Sequence, residues 1–118
     1  MTAESDLLIL RDKLREFAEA RDWDQFHSPK NLSMALMVEV AELMEHFQWL
    51  TEAQSADPTI ADKQTVSEEL ADILLYLVRL SDKLGVDLQA AALHKIEKNA
   101  QKYPAERVRG SSKKYSDY

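Results

Sequence analysis

Cysteine is absent from the 118 residues, which excludes disulfides, zinc–thiolate centres and thiol nucleophiles and leaves no sign of an oxidising compartment. Glycine occurs twice and proline three times, too few for the turns of an all-β sandwich. Long apolar runs are also missing. The longest, Ile73 to Val78, is far short of the ~20 residues that a membrane span requires. Near the N-terminus the apolar run Leu7 to Leu10 follows Asp6, which is not the pattern of a secretory leader. Positive charge is in the minority: 15 Lys and Arg stand against 21 Asp and Glu, a formal net charge of −6. That balance disfavours non-specific binding to nucleic acid or to an anionic membrane. The expectation is a soluble cytoplasmic protein with neither as a partner.

What is present is 45% apolar and 31% charged, the composition of a helical globular domain. Leu7, Leu10, Leu14, Phe17, Ala18 and Arg21 recur at three- and four-residue steps, so residues 6–21 read as an amphipathic helix with Ser5 as its cap. A polar stretch with Trp23, Phe26 and His27 leads to Ser28-Pro29, a cap followed by proline in the first helical position. The second helix carries Leu32, Leu36, Val40, Leu43, Phe47 and Leu50 on one stripe and should run to about Trp49 or Leu50. Residues 51–64 lack periodicity and read as the main loop. Thr65-x-x-Glu68 has capping-box spacing and predicts the start of a third helix, closed by Gly85. Asp87 caps a fourth, which ends before Tyr103-Pro104. The fold class predicted is all-α, a four-helix bundle, with residues 1–104 as the domain and 105–118 as a basic tail. From Leu70 to Leu80 the third helix is apolar on nearly every side, which one small chain cannot cover, so this helix is expected at a subunit interface of a homo-oligomer.

The acids carry the chemistry. Glu39 and Glu42 stand three residues apart in the most apolar part of the second helix, and Glu69 and Asp72 do the same at the start of the third. Residues at that spacing share a helix face. Carboxylates crowded on apolar faces need a compensating cation. Between Asn31 and Leu50 there is no Lys or Arg. A divalent metal held by Glu39, Glu42, Glu69 and Asp72 is the economical partner, and hard oxygen ligands suit Mg²⁺ or Mn²⁺. Magnesium bound by carboxylates takes phosphate oxygens as further ligands, which implies a phosphate ester such as a nucleotide. Glu45 and Glu68 read as solvent-facing or as supports behind the four acids, His46 and His94 as structural or exposed, and Met34, Met37 and Met44 as core filler.

The pattern Glu39-x2-Glu42-x26-Glu69-x2-Asp72 resembles the signature of the MazG-like all-α nucleoside triphosphate pyrophosphohydrolases. The blocks RDWDQFHSPKNL (21–32), EVAELMEHFQW (39–49), EELADILLYLVRL (68–80) and KIEKNAQKYP (95–104), with the RGSSKKYSDY tail, are similar to its dCTP pyrophosphatase branch. The resemblance implies that water attacks the α-phosphorus of a nucleoside triphosphate, releasing the monophosphate and pyrophosphate, with Mg²⁺ held by the four acids. It implies nucleoside contacts from Trp23, Phe26, His27, Trp49 and Tyr76. Lys95 and Asn99 resemble the family's phosphate contacts, with Arg109, Lys113 and Lys114 of the tail as weaker candidates. It also implies a homotetramer, a dimer of dimers. Leu14 stands where that branch has a polar histidine.

Two other readings differ in kind. A di-iron bundle of ferritin type wants Glu-x-x-His on two helices, but the residues three before His46 and His94 are Leu43 and Ala91. A non-catalytic metal- or nucleotide-binding helical oligomerisation module would explain the apolar third helix, but gives the four acids no reaction to perform.

Overall fold

In a computed structural model of the chain, which describes residues 5–112, the elements among the described residues are all helical. They are α1 (Asp6–Ala20), a 3₁₀ turn (Asp24–Phe26), α2 (Pro29–Glu45), α3 (Glu52–Ser55), α4 (Lys63–Leu84), α5 (Leu88–Lys102) and α6 (Ala105–Val108). The four long helices of the sequence reading are α1, α2, α4 and α5. They fall into two compact units on either side of the Val86–Asp87 junction, with α1 to α4 in the first and α5 and α6 in the second. The segment 105–118, expected as a basic tail, contains α6.

The caps form where short polar side chains meet orphan backbone N–H groups. Ser5 accepts from the Leu7 amide, Ser28 from Asn31 and Asp87 from Ala90. Gly85 closes α4 at φ 68°, with the Val86 amide reaching back to the Ser81 carbonyl at 2.8 Å. Three boundaries differ from expectation. α2 ends at Glu45 rather than near Leu50, and residues 46–49 continue as turns. Inside the expected loop, Thr51 and Gln54 make a reciprocal capping box and open α3. The cap of α4 is Asp62, not Thr65: Asp62 accepts from the Gln64 amide and from the Thr65 hydroxyl, which draws Thr65 into the first turn.

Within the first unit α4 is the central element, with α2 packed along it and α1 against it. Ala18 from α1, Leu32 from α2 and Val78 from α4 are buried. Much of the apolar surface is not. Met34, Met37 and Met44, expected in the core, are exposed, as are Leu70, Leu74 and Leu77 of α4.

A charged cluster ties α1 to α4. Arg15 donates to both carboxylate oxygens of Asp82, at 2.6 and 2.8 Å, and Asp82 is only 12% exposed. The hydrogen bond from Arg15 holds the Asp82 carboxyl below its ordinary pKa, against the opposing effect of burial. A depressed folded-state pKa stabilises the fold above the unfolded value of about 4 and loses that contribution as pH falls through the folded value. Asp82→Asn is therefore expected to lower stability by about 1 kcal/mol at neutral pH, since Arg15 is half exposed. Melting temperatures followed from pH 7 into acid should converge for variant and parent.

Candidate active site

α2 and α4 bring the acids together. One carboxylate oxygen from each of Glu39, Glu69 and Asp72 lies within 4.8 Å of the others. Oxygens around an octahedral Mg²⁺ at about 2.1 Å sit no more than ~4.2 Å apart, so small side-chain rotations suffice to close this set on an ion. Glu39 Oε2 and Glu69 Oε2 are buried without a hydrogen-bond partner. Buried carboxylate oxygens normally have one, and a hard divalent cation would supply what these lack. The residues present fit such an ion. Glu42 is the fourth acid, and its charge acts on Glu39. Burial first, then the charges of Glu42, Asp72 and Glu69, push the Glu39 pKa up.

His46 belongs to this neighbourhood, although the sequence reading gives it a structural or exposed place. Its Nε2 lies 3.8 Å from Glu69 Oε1. Its position seven residues after Glu39, two turns along the same face, is the signal that identifies it.

Beside the acids opens a cleft of about 410 Å³, lined by Leu10, Lys13, Leu14, Phe17, Ala18, Trp23, His27, Leu32, Asp72, Leu75, Tyr76 and Arg79. Its size suits a small-molecule ligand. Asp72 belongs to both the acid cluster and the cleft wall. Tyr76, one turn further along α4, lines the cleft too, and burial followed by the charges of Glu39 and Asp72 raises its pKa. Its phenol therefore stays protonated, a donor at the cleft wall.

The aromatic segment reaches the cleft through a tight turn. Asp22 adopts φ 54°, a left-handed conformation that aspartate tolerates better than most residues. There the Trp23 amide bonds the Ala18 carbonyl at 2.9 Å and the Asp22 amide the Glu19 carbonyl at 3.1 Å, which is a Schellman closure of α1. Trp23 then stands edge-on to Phe17 at 5.7 Å and to His27 at 6.5 Å. Of the nucleoside candidates, Trp23, His27 and Tyr76 line the cleft, whereas Phe26 and Trp49 do not, and Trp49 is 86% exposed. Lys95 and Asn99 are one turn apart on α5, both exposed, in the second unit. Arg109 is exposed as well, and Lys113 and Lys114 lie outside the described residues. The cleft residues that the spacing did not single out for a site are Leu10, Lys13, Phe17, Ala18, Leu32, Leu75 and Arg79.

The sequence profile of the MazG-like family matches residues 34–118. The chain belongs to the MazG-like family. It is 46% identical to dCTP pyrophosphatase 1 of Rattus norvegicus and 45% identical to that of Homo sapiens, in each case over 97% of this chain and 68% of the relative. Among solved structures, a pyrophosphatase from Archaeoglobus fulgidus is 38% identical and superposes with a TM-score of 0.78 over 88% of this chain and 97% of the other. These relatives are pyrophosphatases by name.

Proposed function

We propose that this MazG-like chain is a Mg²⁺-dependent nucleoside triphosphate pyrophosphohydrolase, acting on dCTP or a related pyrimidine deoxynucleotide, with Mn²⁺ able to replace Mg²⁺. The observation that carries the reading is Asp72, which is at once a member of the convergent acids and part of the wall of an apolar, aromatic-lined cleft. Such a residue joins a phosphate site to a base site. The names of the relatives support the nucleotide class.

In this reading Glu39, Glu69 and Asp72, with Glu42 beside them, hold the divalent ion. When bound, that ion supplies neutralisation of the triphosphate charge and acidification of water. The rest of the work belongs to the chain. Trp23 stacks on the base, and His27 and Tyr76 hydrogen-bond its edge. Leu10 and Leu14 belong to the apolar part of the cleft lining. Lys95 and Asn99 of α5 are the candidates for phosphate contact that the family resemblance implies. Water attacks the α-phosphorus, the α–β phosphoanhydride bond breaks, and pyrophosphate leaves with the electron pair. The apolar side chains left exposed on α2 and α4 support a homo-oligomer, since patches of that kind mark interfaces, and the resemblance to the dCTP pyrophosphatase branch favours a tetramer built as a dimer of dimers.

The test is release of monophosphate and pyrophosphate from a panel of canonical and modified triphosphates, with Mg²⁺ and then with a chelator. Chelator-sensitive release, greatest for pyrimidine deoxynucleotides, is expected. The same ion should stabilise the substrate-free chain by about 2.7 kcal/mol at a hundred times its Kd, read as a rise in melting temperature. Silence across the panel in a folded, metal-loaded sample would overturn the reading and favour a binding module.

A further inference from the structure

Arg79 is 6% exposed, the buried charged residue among the described residues. A guanidinium taken from water must spend its N–H groups on partners, because it has five donors, no acceptor and no accessible neutral form. Its Nη2 donates to Asp24 Oδ1 at 2.7 Å, and its Nη1 lies 3.7 Å from Asp82 Oδ2. Both acids are braced in turn, Asp24 by Lys83 and Asp82 by Arg15. The guanidinium is thus fixed from two sides.

Its remaining contact is with the cleft. Arg79 Nε donates to His27 Nδ1 at 3.1 Å. Since the arginine can only donate, Nδ1 must present its lone pair, and a neutral imidazole whose Nδ1 accepts carries its hydrogen on Nε2. Burial of the ring, then the positive charges of Arg79 and Lys83, lower the His27 pKa, with Asp24 opposing, so the neutral ring is the form favoured at neutral pH. His27 and Arg79 both line the cleft, with Trp23 and Tyr76.

We propose that Arg79 is a positioning residue that locks His27 in the neutral Nε2–H tautomer, so that the cleft presents a fixed hydrogen-bond donor to an acceptor, a ring nitrogen or carbonyl oxygen, on the edge of the bound base. This rests on reading the cleft as the nucleoside site. The lock costs no reorganisation when the base arrives, because Asp24, Asp82 and the burial of Arg79 have already fixed the donor's direction.

The lock itself is tested on the full-length chain without substrate. Long-range ¹H–¹⁵N spectra of the imidazoles should show His27 with a bare Nδ1 and a protonated Nε2 at neutral pH. Arg79→Met, which keeps the volume and removes the donor, should turn His27 into a mixture of tautomers. Arg79→Lys, which keeps the charge and a donor, should restore most of the Nε2–H form and guards against loss of fold in the methionine variant. In hydrolysis, Arg79→Met should raise KM by up to about tenfold, the weight of one hydrogen bond, with kcat within about twofold. The KM effect should vanish in a His27→Phe background, where the two changes share one interaction. A His27 that carries its proton on Nδ1 in the parent chain, or spectra unchanged by Arg79→Met, would overturn the positioning role. A KM effect that persists in full without the imidazole would also overturn it. If the spectra are as expected but the parent chain hydrolyses no triphosphate, it is the reading of the cleft that fails, and with it the donor's purpose in catalysis.

Discussion

Asp72→Asn and Glu39→Gln are each expected to cut pyrophosphate release by at least ~100-fold, and Glu42→Gln to do the same, while the substrate-free chain keeps its fold. Loss of a residue that only supports a metal ligand already costs 10- to 100-fold in many metal sites, and these variants alter the acids themselves. The fold should survive because the acids oppose it. Glu39 carries a buried oxygen without a partner, and burial together with three neighbouring negative charges pushes its pKa up. Removing one charge from such a group relieves repulsion. Glu39→Gln should therefore melt higher than the parent without metal and lose most of the stabilisation that Mg²⁺ gives the parent. The two effects have opposite signs, so a generally damaged protein cannot imitate them. Glu45→Gln, an exposed acid of the same helix, serves as the control and should remain near full activity. Near-normal hydrolysis in Asp72→Asn and Glu42→Gln would overturn the assignment of the acids.

What the sequence could disclose was local or periodic. The caps at Ser5, Ser28 and Asp87 and the left-handed Gly85 are each decided within about four residues, and the structure has them where the spacing predicts. Competition between neighbouring signals accounts for the misplaced boundaries. Asp62 and Thr65 both offer a cap, and the aspartate takes the backbone amide and the threonine hydroxyl together. The stripe of α2 continues through Phe47 and Leu50, so apolar periodicity alone gives no stop at Glu45. The convergence of Glu39, Glu69 and Asp72 was legible because two i, i+3 pairs lie on helices that pack along each other. Arg79 was not legible as part of a site. Its partners Asp24 and His27 are 55 and 52 residues away, and on the sequence it reads only as a cation toward the far end of an apolar helix. The exposure of Met34, Met37 and Met44 was hidden for a related reason: periodicity identifies an apolar face without saying whether this chain or another copy covers it.

Trp23→Ala should raise KM by about 5- to 150-fold for the preferred nucleotide, with a much smaller change in kcat. Stacking of a base on an aromatic ring is worth about 1–3 kcal/mol, and each 1.4 kcal/mol is a factor of ten in affinity. Trp23 is the cleft residue placed to supply it. The Schellman turn at Asp22 aims it, and edge contacts from Phe17 and His27 steady it. At 45% exposure it still has a face to offer. The indole acts on the base and not on the reacting phosphorus, so its loss should fall on binding shared by ground and transition states. Trp23→Phe, which keeps an aromatic face, should recover most of the affinity. Trp49→Ala gives the informative contrast. Trp49 stands outside the cleft of one chain, so a rise in its KM, expected to be smaller than that of Trp23→Ala, would mean that a second copy completes the base site. An unchanged KM for every pyrimidine nucleotide would remove Trp49 from that site and leave Trp23, His27 and Tyr76 to read the base within a single chain.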